Sequence, residues 1–142
     1  MDEGVLRLFS STLKKAGYNT TKPRVAVFRC LGAASEPLTM HELYSDLNDT
    51  FDRSTLYRII RMFEKVGIVQ RVPTGWKYKL ELTDVFVSHH HHAICLKCGK
   101  IIPIEENPDL ESLINKIADK HNISAINHQL EIQGVCVGCQ RP

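Results

Sequence analysis

No stretch of the 142 residues stays apolar for the roughly 20 positions that a membrane-crossing helix needs. The opening MDEGVLRLFSSTLKK carries acids where a secretory leader wants cations, and polar residues interrupt its apolar ones. The expectation is a cytoplasmic protein with no membrane partner. Apart from one run of histidines there is no low-complexity linker and no internal repeat, so neither a repeat array nor a long flexible tether is expected. Disulfides are rarely kept in a reducing compartment, and the five cysteines therefore need another explanation.

Hydrophobic residues at 43% and charged residues at 24% are ordinary for a globular chain, whose length suits one domain or two small ones. A formal net charge of +2 conceals an asymmetry between the halves. Residues 1–82 carry 13 Lys and Arg against 9 Asp and Glu, whereas residues 83–142 carry 5 against 7. The first half is the natural partner of a polyanion.

The first half reads as helices followed by a hairpin. VLRLFSSTLKKAG has one apolar stripe and a glycine stop at Gly17. In TTKPRVAVFRCLGAA, Thr20 or Thr21 is placed to cap a helix that Pro23 opens, and Cys30 falls inside it as a small buried residue. Thr39 and Glu42 form a capping-box pattern ahead of a third helix. In DRSTLYRIIRMFEKVG, residues Leu56, Ile59, Ile60, Phe63 and Val66 form a helical stripe, and Gly67 ends it. The period then changes to two: IVQRV, a PTG turn and WKYKLEL, with Trp76, Tyr78, Leu80 and Leu82 expected on one strand face. Three helices, a fourth and a hairpin make a winged helix-turn-helix. Its recognition helix, expected to begin at Ser54, presents Ser54, Thr55, Arg58, Arg61 and Lys65 opposite the stripe, with Tyr57 at the flank. Tyr57 suits a thymine methyl or a phosphate, and Arg58 a phosphate.

The second half is α+β: a histidine strand, a turn at CLKCGK, the strand IIPIEE, a helix opened by Asn107 and Pro108 with the stripe Leu110, Leu113, Ile114 and Ile117, and a last strand AINHQLEIQGV leading into CVGC. Residues 1–82 are thus expected as a DNA-binding domain, 83–88 as a hinge and 89–142 as a metal-binding domain small enough to need a staple. The staple is at hand. Cys95 and Cys98, with Cys136 and Cys139, form two Cys-x-x-Cys pairs, and four thiolates saturate a tetrahedral structural Zn²⁺. The four histidines between Ser88 and Ala93 pose a different problem, because alternate side chains of a strand face opposite ways. His89 and His91 share one face, His90 and His92 the other, and each half-site needs further ligands. Glu81, Asp84, Glu111 and His128 are the candidates. Three of them also have a plain structural reading: Glu81 as a solvent-facing strand residue, Glu111 complementing a helix N-terminus, His128 in phase with Leu130 and Ile132 as a core residue.

The pieces AGYNTTKPR, RSTLYRIIRMFEKVGIV, HHHHAICLKCGKII, INH and CVGC, in this order and spacing, resemble the ferric uptake regulator family of metal-dependent bacterial repressors over nearly the full chain. The resemblance implies an N-terminal winged helix on double-stranded operator DNA, a C-terminal α/β domain that forms a homodimer, and metal binding that favours the DNA-competent dimer. It implies that Cys95, Cys98, Cys136 and Cys139 hold structural zinc, that His89, His91, Glu111 and His128 form a second site, and that His90 and His92 belong to a regulatory site at the hinge. Tyr57 matches the recognition-helix tyrosine and Arg24 an arginine near the DNA backbone. There are departures. Pro37 stands where many members have a hinge histidine, Pro103 where some have a carboxylate, and Asn19 where some have a minor-groove lysine. The segment before the histidines is longer than usual, leaving Glu81 or Asp84 as replacement hinge ligands.

Three functions compete on these residues. An enzyme with an open histidine site would need a pocket and an acid or base for a small-molecule substrate, and the sequence offers neither beyond the ligands. A metal buffer leaves the recognition helix unexplained. A metal-responsive repressor accounts for both halves. Its regulatory metal is Zn²⁺, Fe²⁺ or Mn²⁺ by ligand type. The unbroken histidine tetrad resembles zinc uptake regulators, iron or manganese sensing being the alternatives, and Pro103 sets peroxide sensing lower.

Overall fold

A computed structural model describes residues 2–124 and 127–140. By internal contacts the chain divides into two compact units, Met1–Ser88 and His89–Pro142. The mixed helix-and-sheet architecture with a winged helix first is as expected.

The first unit holds α1 (Glu3–Lys15), α2 (Lys22–Ala33), α3 (Met40–Leu47), α4 (Arg53–Val66) and the antiparallel pair β1 (Val69–Thr74) and β2 (Lys77–Leu82). Local chemistry sets the helix ends. Asp2 caps α1 by accepting from the Val5 N–H. At α3 both halves of the capping box are made, Thr39 Oγ1 accepting from the Glu42 N–H and Glu42 Oε2 from the Thr39 N–H at 2.7 Å. Asp52 caps α4, so the helix starts at Arg53, one residue before the expected Ser54. Gly67 closes it with φ 78°, a conformation that strains any residue bearing a Cβ. The apolar faces meet in one core around Phe9, Phe28, Phe63, Leu43, Leu56 and Leu80, each fully buried. Phe9 stacks on Phe28 at 4.1 Å and meets Phe63 edge-on at 5.6 Å. Cys30 is half-buried rather than in this core, its thiol 3.8 Å from Asp46 Oδ2.

One expectation about the hairpin needs correction. Thr74 pairs with Lys77, so the turn is Gly75 and Trp76 alone, with Gly75 at φ 75°. Trp76 therefore stands at the tip, 92% exposed, and only Leu80 and Leu82 of the predicted face are buried. Within the segment read as a hinge, Phe86 is buried against the ring of Phe28, centroids 5.2 Å apart, so this part of the connection belongs to the first unit.

The second unit holds β3 (His90–Cys95), β4 (Ile101–Glu105), α5 (Pro108–Lys120), β5 (Glu131–Gly134) and the short α6 (Val137–Gln140). The sheet order is β4-β3-β5, with β4 antiparallel and β5 parallel to the central histidine strand. Pro103 lies opposite His92 in β4, an edge strand, where a missing N–H is tolerated. The last strand is shorter than expected. Ala125 and Ile126 lie outside the described residues, and residues 127–130, His128 included, precede β5 without strand pairing of their own. α5 buries none of its residues, and Leu113 and Ile117 of its stripe are 54% and 52% exposed. Ile94, Ile101 and Cys95 are the apolar residues this unit does bury among those described.

Candidate metal centres and nucleic-acid face

The turn between β3 and β4 brings Cys95 and Cys98 together, and the turn into α6 does the same for Cys136 and Cys139. The four sulfurs lie within 4.8 Å of one another, Cys98 and Cys136 at 3.8 Å. The surroundings act on two of these thiols in opposite directions. The Cys136 N–H, at 3.3 Å, and then that of Cys98 draw the Cys95 thiol down to about 6, whereas the shared proton with Cys136 and then Cys98 pushes Cys139 up to about 12. A divalent cation held by these four sulfurs would take them as thiolates, so loading of the site would release protons. The donor set fits Zn²⁺ in the closed tetrahedral manner. Lys97, which the spacing argument passed over, donates from Nζ to the Cys139 carbonyl at 3.1 Å and so ties the two knuckles together. Nothing but its place inside the first pair could have marked it.

The histidines part as the strand pleat requires. His89 and His91 rings meet at 4.7 Å, and those of His90 and His92 at 4.8 Å. Around the first pair a second cluster closes, with His89, His91, His128 and Glu111 ligand atoms within 4.8 Å of one another. Glu111 is in the first turn of α5, which Asn107 fixes by accepting from the Asp109 and Leu110 N–H groups. Its Oε1 lies 3.0 Å from His91 Nε2 and 3.7 Å from His89 Nε2, and its Oε2 lies 3.2 Å from His128 Nε2. His89 and His128 are themselves 3.1 Å apart at Nε2. Burial pushes the Glu111 carboxyl upward, but the bond to His91 and the nearby His128 and His89 hold it below its ordinary value. His91 is 1% exposed, and its other nitrogen, Nδ1, is buried without a hydrogen-bond partner among the described residues. Three imidazoles converging on one carboxylate are an N₃O donor set fit for a divalent transition metal. His128, read both as ligand and as core residue, is thus found in the cluster.

Glu81 and Asp84 belong to the first unit. Glu81 is buried, not solvent-facing, and its Oε1 accepts from Gln70 Nε2 at 2.8 Å.

The outer face of α4 carries Ser54, Tyr57, Arg58 and Arg61, all exposed, with Thr55 half-buried beside them. Arg58 Nη2 donates to Thr55 Oγ1 at 3.3 Å. Arg24, on the first turn of α2, reaches the same place: Thr21, Pro23, Arg24, Thr55, Arg58 and Ile59 line one cleft of about 250 Å³. Arg24 also donates from Nη1 to the Asn19 carbonyl and lies 5.4 Å from the Tyr18 ring centroid.

A sequence profile of the Ferric uptake regulator family matches residues 15–133. The ferric uptake regulation protein of Yersinia pestis is 36% identical over 132 residues, covering 89% of this chain and 87% of the relative. That of Neisseria meningitidis is 34% identical over 135 residues, covering 90% of each. The Helicobacter pylori ferric uptake regulator, whose structure shows three functional metal-binding sites, superposes with a TM-score of 0.79 at 27% identity, covering 99% of this chain and 94% of its own. By profile, by curated relatives and by fold, the chain belongs to the ferric uptake regulator family.

Proposed function

We propose that this protein is a metal-loaded homodimeric repressor of metal-uptake or metal-homeostasis genes, acting in the cytoplasm and not as an enzyme. Family membership makes it a metal-responsive transcriptional regulator. The observation that carries the fuller reading is the convergence of His89, His91, His128 and Glu111 in a chain that also exposes a cationic recognition helix. In this reading Cys95, Cys98, Cys136 and Cys139 hold structural zinc. His90 and His92, with Glu81 and Asp84, serve a regulatory site at the hinge, where a metal bound by both units fixes the DNA-competent arrangement. Arg24, Ser54, Thr55, Tyr57, Arg58 and Arg61 meet operator DNA. The exposed Leu113, Ile117 and Ile132 support a second copy as the partner that covers them.

Two regulatory metals have a specific observation each. The curated relatives are named for ferric uptake, which supports Fe²⁺. The histidine tetrad without an interposed carboxylate supports Zn²⁺. Imidazole and carboxylate donors also accept Mn²⁺. The deciding experiment titrates the protein with Fe²⁺, Zn²⁺ and Mn²⁺ at matched free-metal levels against a duplex it has itself selected from a random pool. One metal should raise affinity at lower free concentration than the others; retention of the duplex independent of every metal would refute metal-responsive repression.

A further inference from the structure

Lys97 stands between the two cysteines of the first pair and touches both pairs. Its backbone N–H is among those directed at Cys95 Sγ, and its Nζ donates to the Cys139 carbonyl at 3.1 Å. That carbonyl lies in the single turn of α6, where the last carbonyls have no intrahelical partner and a lysine is a suitable donor. Other support for α6 is slight. It buries none of its residues, Val137 is 70% exposed, and the pairing of β5 with β3 ends at Gly134, opposite Cys95. The Leu96 N–H meets the Gly134 carbonyl at 2.9 Å, short of the second pair. Charge points the same way. Four thiolates around a divalent cation would leave the centre net anionic, and an ammonium held at the carbonyl of one ligand offsets part of that charge.

We propose that Lys97 is the latch of the cysteine centre: its ammonium, bound to the Cys139 carbonyl, holds the second pair closed on the first and so sets how fast the centre gives up its metal. The inference rests on the proposed reading that the four sulfurs hold zinc. Lys97 is a positioning residue, which touches no metal and acts through the placing of Cys139. Metal leaves when one pair lifts away from the other. Lifting α6 exposes no buried side chain of its own, so the bond from Lys97 is a main part of what has to break.

The zinc-loaded full chain, its zinc content fixed by elemental analysis, is mixed with an excess of the chromophoric chelator pyridylazoresorcinol, and release is followed at several salt concentrations. K97M keeps an unbranched side chain and loses the charge. It should release zinc roughly 3- to 10-fold faster, the size of one exposed charge-assisted hydrogen bond. K97R should stay near the wild-type rate. The ratio of K97M to wild type should fall toward unity as salt approaches ~1 M, where screening acts over about 3 Å. Iodoacetamide labelling of zinc-loaded K97M, mapped by mass spectrometry, should reach Cys136 and Cys139 before Cys95 and Cys98. A wild-type release rate in K97M, or release from K97R as fast as from K97M, overturns the inference and leaves the zinc reading standing. A K97M effect that persists undiminished at high salt assigns the side chain to packing and overturns it as well. If the wild-type chain holds no zinc on these sulfurs, the zinc reading fails and this inference with it.

Discussion

Nε2 of His91 lies 3.0 Å from Oε1 of Glu111, and this contact ties the start of β3 to the first turn of α5. The other oxygen of the same carboxylate serves His128, so one side chain joins the central strand, the helix and the segment leading to β5. A helix that buries none of its own residues is thereby held through a polar cluster rather than a core. A cation in that cluster stabilises the unit by mass action.

The two faces of β3 should therefore separate on mutation. Replacing His90 and His92 by Ala is expected to abolish metal-activated DNA binding and leave the dimer intact. Replacing His89 and His91 should lower thermal stability more. Coupling of ~1–3 kcal/mol corresponds to a roughly 5- to 150-fold change in operator affinity. Equal phenotypes for the two double variants would dissolve the assignment of separate sites.

Cys95→Ser should leave less than one equivalent of zinc per chain and unfold the second unit, since structural zinc supplies much of a small unit's folding free energy. Elemental analysis alongside circular dichroism checks this. A folded, dimeric, zinc-free protein is the contrary result.

Glu42 gives a pH signature in the first unit. The Thr39 N–H and then the Thr39 hydroxyl hold its carboxyl below the ordinary value. A depressed folded-state pKa contributes stability that is present above the unfolded value of about 4.3 and is lost as pH falls through the lower folded value. Glu42→Gln should accordingly remove this part of the acid limb in denaturant titrations, with the difference from wild type vanishing at the lowest pH. A constant difference at all pH values would contradict it.

On α4, Tyr57→Ala should weaken binding to the selected duplex more than to a scrambled one. Arg58→Ala should weaken both and flatten the salt dependence by about one unit of log–log slope. Unchanged affinities for both variants would take this helix out of the interface.

The parts legible in the sequence were those with local causes. Thr39 and Glu42 announce their capping box, the stripe from Leu56 to Phe63 announces α4, and the paired x-x spacings bring four sulfurs together. Period two also foretold which histidines would share a face. Where the pattern misled, a longer-range constraint had won. Trp76 sits in phase with Leu80, but register places the reversal at Gly75 and Trp76. The segment from Ala125 to Val135 reads as a full strand, yet among the described residues its pairing with β3 begins at Glu131, opposite His92. The stripe of α5 shows which face is apolar, but among the described residues nothing buries Leu113 and Ile117, which stay exposed.

The separation of the two cysteine pairs has a consequence during synthesis. Cys136 follows Cys95 by 41 positions, with a strand, a helix and another strand between them. At about 5–20 residues per second, a ribosome leaves the first pair waiting roughly 2–8 s before the second exists. Until Cys136 and Cys139 are made, Cys95 and Cys98 have only two of the four sulfurs that the site brings together. The first unit, complete before either pair is made, has no such wait. On the reading that the four sulfurs hold zinc, supply of zinc and of reducing equivalents at the moment of translation should govern the yield of the second unit more than that of the first.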